Sequence, residues 1–333
     1  MNRVESKRVL LENEYGNFPA PPTRVWAEEL PASDADKVFC AGKAPIERYF
    51  LKADVYGKTV AFPIAVCVPK KAKKPVKTVL SLNFERQIPN KYLPAEEIID
   101  RGWAFVSVCY EDVTADSADM DENAAVLTSR FYTGKLVMWA WAAMRVMDYL
   151  QTREDIDGKR VAVAGHSRLG KVALLAAAFD ERFAFVHSNQ SGIGGAALYS
   201  SVGAHCENIE RLATVRPYWF SGKYPSFIGK EKSLPFEQDY LLALIAPRVL
   251  SVSSALGDPN ASPQGEFACA KRASSAWKAQ GVLGLVAPDS AEVGVSYHEG
   301  NVGYHIREGC HYFSREDWNS ALDFFESKLR ENF

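Results

Sequence analysis

The stretch 161–171, VAVAGHSRLGK, limits what this chain can fold into more than any other. Small and apolar residues lead into Gly165-His166-Ser167-Arg168, and a second apolar run, 172–179, follows. Such a strand turning sharply into a helix, with a serine at the apex, is a nucleophile elbow. Its strained turn lifts the serine Oγ above the sheet edge and requires a small residue just before it. Gly165 meets that requirement. The second glycine is displaced: Leu169 stands where Gly-x-Ser-x-Gly would have it, and Gly170 follows one residue later. A serine that merely caps a helix after a βα turn gives the same local pattern, so the rest of the chain must separate the two readings.

At 333 residues the chain has room for one large domain or two smaller ones. A composition of 47% hydrophobic and 24% charged residues supplies a sizeable core. A formal net charge of −2 lacks the basic face that a nucleic-acid partner demands. The one basic cluster, KKAKKPVK at 70–77, contains a proline between two strand-like runs and reads as a solvated hairpin loop. No apolar run approaches the roughly 18 residues of a membrane span, so no membrane partner is expected. The opening MNRVESKRVLLENEYG has charges throughout and no apolar signal core, which makes a cytoplasmic protein the expectation. Six scattered cysteines show neither C-x-x-C nor zinc spacing, so free thiols, no metal and no cofactor are expected.

Residues 1–45 are rich in proline and charge and read as an N-terminal arm. The runs 48–55 and 59–68, joined by Tyr56-Gly57-Lys58, make an antiparallel hairpin. Apolar strands are expected at 76–82, 103–109, 184–188 and 248–253, with a short one near Leu285. Helices are expected at 93–101, 134–150, 236–242, 263–280 and 315–329. The helix 134–150 rests on the 3.6-residue spacing of Leu136, Trp139, Ala140, Ala143, Met147 and Leu150. The polar segment 111–129 reads as a surface loop, and 196–235 as a loop-rich insert. Strands alternating with helices after an opening hairpin imply an α/β fold, a mostly parallel central sheet with helices on both faces. With the elbow in place this is the order of an α/β-hydrolase, a single domain over 46–333.

A serine hydroxyl needs a base within hydrogen-bond reach, and the base needs an orienting acid. In this fold the chain order is serine, acid, histidine. His311, in the glycine-containing loop before the last helix, holds the position of the base. His305, six residues earlier, lies in a strand-like context. Asp258 follows the 248–253 strand and is the candidate acid, although an Asp before Pro259 also opens a turn.

These segments resemble the glucuronoyl esterases, carbohydrate esterase family 15, and the bacterial hydrolases around them often labelled acetyl-xylan esterases. Gly165-His166-Ser167-Arg168-Leu169-Gly170-Lys171 is similar to the family's Gly-Cys-Ser-Arg-x-Gly-Lys. Asp180-Glu181-Arg182-Phe183, Asn189-Gln190-Ser191-Gly192, the run LALIAPR at 242–248, Gly265-Glu266-Phe267 and Gly303-Tyr304-His305-Ile306-Arg307 match in order. The resemblance implies a serine carboxylesterase with the triad Ser167, His311 and Asp258, the oxyanion held at Arg168, and sugar contacts from Lys171, Glu210 and Trp219. Glu207 and Tyr218 also lie in the insert. Three departures stand out. Gln190 occupies the position where many members carry their acid glutamate, and Asp258 matches the alternative acid of others. His166 replaces the Cys that ties the elbow to the histidine loop in fungal members. Asn260 stands where members commonly carry Trp. The expected substrate is a small-molecule or oligosaccharide ester of glucuronic acid. An O-acetyl ester is the alternative, and a binding homologue without turnover, suggested by Gln190, is the reading from another class. Oligomeric state is left open.

Overall fold

The computed structural model describes residues 2–201, 203 and 205–332. Ten strands form one sheet: β1 Arg24–Leu30, β2 Ile46–Val55, β3 Lys58–Cys67, β4 Val76–Asn83, β5 Ala104–Cys109, β6 Ile156–His166, β7 Phe185–Asn189, β8 Val249–Ala255, β9 Ser296–Tyr297 and β10 Val302–Arg307. Their order is β1-β2-β3-β5-β4-β6-β7-β8-β10-β9. The run from β5 through β4, β6, β7 and β8 to β10 is parallel, and the two flanks are antiparallel. Central strands such as β5, AFVSVC, are buried along their whole length, which is why they read as unbroken apolar runs rather than alternating ones. The β2–β3 hairpin turns on Tyr56 and Gly57, both at positive φ (54° and 75°), as a tight two-residue turn between right-twisted strands requires.

The helix Lys135–Leu150 is buried on nearly every side. It packs against strands of the sheet, and the N-terminal segment lies against it, where Trp141 Nε1 donates to the Ala20 carbonyl at 3.3 Å. The N-terminal segment has regular structure of its own. It opens with the helix Arg3–Leu10 and a π-helical turn Leu11–Tyr15, then supplies edge strand β1, paired with β2 from Arg24↔Asp54 to Leu30↔Arg48. An edge strand facing solvent has no apolar alternation to betray it, and RVWAEEL shows little.

Other local expectations are corrected in the same way. The segment 111–129 holds the helices Tyr110–Val113 and Glu122–Leu127 and buries Val113, Ala124 and Leu127. No strand forms near Leu285. Residues 281–295 are irregular, and the short β9 follows them. The basic stretch 70–77 joins β3 to β4, which are not neighbours, so it is a crossover rather than a hairpin loop. The insert 196–235 folds down through buried Tyr199, Trp219, Phe220 and Tyr224. All six cysteines are free thiols. No helix among the described residues is long and apolar enough to cross a membrane.

Candidate active site

β6 ends at His166, and the helix Arg168–Phe179 begins immediately after Ser167. Ser167 sits at φ 56°, ψ −128°, a region that costs a non-glycine residue of order 1–3 kcal/mol. The surroundings hold it there. Its N–H donates to the Asn189 carbonyl at 2.8 Å, and its C=O accepts the N–H groups of Gly170 (2.9 Å) and Lys171 (3.2 Å). A Cβ on Gly165 would collide with the Leu169 carbonyl oxygen, and one on Gly170 would lie 3.0 Å from Ser191 Cβ. The displaced glycine thus lets the helix pass the loop after β7. Gly165→Ala is expected to destabilise the fold by about 1–3 kcal/mol, the usual cost of overpacking, read as a lower denaturant midpoint with unchanged slope.

Asp258 lies just beyond β8 and His311 in the loop after β10. The loops are zipped by Leu256 N–H to the Arg307 carbonyl (2.9 Å) and Gly257 N–H to the Gly309 carbonyl (2.8 Å). Across that zip His311 Nδ1 and Asp258 Oδ2 are 2.5 Å apart. Asp258 is buried, whereas the His311 side chain is 42% exposed and faces a cavity of about 240 Å³ that Ser167 also lines. His305 is inside β10, with Nδ1 2.9 Å from Ser296 Oγ, and does not line that cavity. The ring of His166 lies 4.4 Å from that of His311. Burial, then the nearby His311, hold the His166 imidazole well below the usual histidine range, so a neutral ring packs against His311.

Gln190 has a defined job. At φ 50° its side chain clamps the residue after His311: Oε1 accepts the Tyr312 N–H at 3.0 Å and Nε2 donates to the Tyr312 carbonyl at 3.1 Å. The same carbonyl accepts Arg307 Nη2 at 2.5 Å, and Arg307 is paired with buried Asp317 at 2.9 Å. In sequence, Gln190 shows the absence of an acid but not this clamp on Tyr312.

In sequence, Glu266 is one residue of the motif Gly265-Glu266-Phe267. It is wholly buried under the Ser191-Gly192 loop, accepting Ser254 Oγ–H at 2.6 Å and Gly192 N–H at 3.0 Å. Burial pushes its carboxyl up to about 8 from 4.5. The folded chain therefore keeps a proton that the unfolded chain releases above pH 4.5. This group's stability contribution is full below that value and is lost as pH rises towards 8, by at most about 1.4 kcal/mol per pH unit. Glu266→Gln should flatten the fall of the melting temperature between pH 5 and 8.

Arg168 leaves the elbow towards Asp116, with which it forms an ion pair, and its guanidinium lies over the rings of Trp219 (4.9 Å), Phe84 (5.8 Å) and Tyr110 (6.0 Å). Its Nε is buried without a hydrogen-bond partner. A buried donor left unpaired is costly, and this one belongs to the residue that follows Ser167. Asp116 also accepts Trp219 Nε1–H at 2.7 Å, and its carbonyl accepts Tyr218 O–H at 2.8 Å. Trp219 is buried, holds Asp116 beside Arg168 and lines the cavity. Lys171 is buried as well, its Nζ donating to the carbonyls of Ser191 (2.6 Å) and Ile193 (2.5 Å) and lying 3.3 Å from Glu207. Glu210 is exposed and outside the cavity, where Glu207 and Arg211 stand instead. The fold therefore gathers Ser167, Arg168, Lys171, Trp219 and His311 at one cavity, with Asp258 behind His311, and leaves Glu210 outside.

A serine on a strained strand-to-helix elbow of a mostly parallel sheet, with an acid loop and a histidine loop at the carboxyl ends of later strands, defines an α/β-hydrolase. Within that class the chain belongs to the glucuronoyl esterase family: residues 51–281 match the family described as fungal glucuronyl esterase. It is 41% identical over 242 residues to the carbohydrate esterase MZ0003 of an unknown prokaryotic organism, covering 70% of this chain and 55% of that one. It is 30% identical over 241 residues to the 4-O-methyl-glucuronoyl methylesterase of Hypocrea jecorina, covering 68% and 49%. The chain spans about half the length of these curated relatives. Among solved structures, a glucuronoyl esterase from Solibacter usitatus superposes with a TM-score of 0.85 at 30% identity, over 98% of this chain and 91% of that one. A promiscuous esterase of carbohydrate esterase family 15 from a marine bacterial metagenome gives 0.84 at 27%, over 97% and 90%.

Proposed function

We propose that the protein is a serine carboxylesterase acting on a carbohydrate ester, with an ester of glucuronic acid as substrate. Ser167 Oγ attacks the ester carbonyl while His311 Nε2 takes its proton. Asp258 accepts from His311 Nδ1–H, fixing the tautomer and stabilising the imidazolium. The tetrahedral oxyanion is received by the Arg168 backbone N–H, with the unpaired Nε as a second donor. His311 then protonates the departing alkoxide, leaving an acyl group on Ser167. A water, deprotonated by His311, attacks that acyl-enzyme and releases the acid and the free serine. The observation that carries this reading is the Asp258–His311 pair at 2.5 Å, with His311 on the wall of the cavity that Ser167 lines. Membership of the glucuronoyl esterase family supports the substrate class. The test compares benzyl glucuronate with p-nitrophenyl acetate. Faster turnover of the glucuronate supports the reading. Preference for the acetate makes the protein an O-acetyl esterase. Failure of both, with no fluorophosphonate labelling of Ser167, makes it a binding homologue.

A further inference from the structure

The cavity beside Ser167 carries more positive charge than ester hydrolysis uses. Arg168, Lys171, Arg211 and Arg216 line it, against one carboxylate, Glu207. Two of the four are answered, Arg168 by Asp116 and Lys171 by Glu207 and two carbonyls. Arg211 and Arg216 have only neutral partners among the described residues. Arg211 Nη1 lies 3.3 Å from Asn260 Oδ1. Arg216 Nη1 donates to the Val215 carbonyl at 3.1 Å, and its guanidinium lies 5.7 Å over Trp219. Arg211 stands in the first turn of the helix Ile209–Val215, an end that favours anions over cations, so the helix does not account for it.

The aromatic surface that would receive a neutral sugar face is meanwhile committed. The Trp219 ring packs against both Arg168 and Arg216, and Asn260, the position of a common family tryptophan, anchors Arg211 instead. From this wall we infer that the substrate carries a negative charge beside its neutral ester: a free carboxylate on the sugar or alcohol portion, gripped by Arg211 and Arg216 while the ester faces Ser167. Guanidinium forks match carboxylates in a way that hydroxyl groups do not. The inference deepens the esterase reading and rests on it for the position of the ester.

The test uses two esters, methyl glucuronate and the monomethyl ester of a glucuronic acid disaccharide that keeps one free carboxylate. The charged ester is expected to have a kcat/KM about tenfold higher, the scale of two partly exposed ion pairs. That preference should shrink in 0.5 M salt and vanish in the Arg211→Ala/Arg216→Ala double variant, chiefly through KM. A double variant with lysine at both positions should keep part of it. Equal kcat/KM for the two esters, or a preference that survives the alanine pair, overturns the inference while leaving the esterase intact. If neither ester turns over, the esterase reading falls. Calorimetric binding of the mono- and di-uronic acids to Ser167→Ala protein then decides the inference by itself, since equal affinity overturns it.

Discussion

Ser167→Ala is expected to lower ester turnover by on the order of a millionfold, the loss seen elsewhere when a triad serine is deleted. The substitution removes one oxygen and little else. Alanine keeps the Cβ and so the same backbone strain at φ 56°. The N–H bond to Asn189 and the first two helix bonds run through the main chain and persist. The Asp258–His311 pair does not touch Ser167 in the hydrogen-bond pattern of the described residues and should stay in place. Residual catalysis, if the Arg168 donors still polarise the carbonyl, would amount to about 10³–10⁴ over water. The check is kcat on a chromogenic ester together with fluorophosphonate labelling and an unchanged melting curve. A correctly folded Ser167→Ala protein that retains a few per cent of turnover would place the nucleophile elsewhere.

The sequence carried the frame of this molecule further than its periphery. The central strands are buried on both faces and write themselves as apolar runs. The helix Lys135–Leu150 shows its spacing, and the elbow is local by nature, so all were legible. Strand β1 was not, because a solvent edge needs no apolar alternation and its partner β2 supplies the register. Asp116 lies in the polar segment 111–129, and nothing local sets it apart. Its meaning comes from Arg168, 52 positions on, and Trp219, 103 positions on, contacts no local pattern encodes. Gln190 fits the same account: its substitution for an acid was visible, but its grip on Tyr312, 122 residues away, was not. The insert was visible as a loop-rich stretch, yet which of its carboxylates would face the cavity depended on where the helix Ile209–Val215 starts. Glu207, before that helix, meets Lys171, and Glu210, inside it, turns to solvent.

Gln190 and Asp258, both set against the His311 loop, should differ sharply when substituted. Asp258→Asn should cost about 10⁴ in kcat, because an amide that can donate to Nδ1 stabilises the wrong imidazole tautomer and leaves Nε2 protonated when it should accept from Ser167. Asp258 is buried and 2.5 Å from His311, so little else can supply the missing charge. Gln190→Ala removes two neutral hydrogen bonds to Tyr312, worth roughly 1 kcal/mol each. The Tyr312 carbonyl keeps Arg307 as a donor. Its expected effect is accordingly a loss of about tenfold, through a less well registered His311. The measurement is kcat for both variants across pH 5–9 on the same ester, beside their melting temperatures. Asp258→Asn should fold as the parent does and stay slow at every pH. If instead Asp258→Asn keeps most of its activity and Gln190→Ala loses it, the carboxylate behind His311 is a structural group and the base must draw its orientation from the clamp on Tyr312.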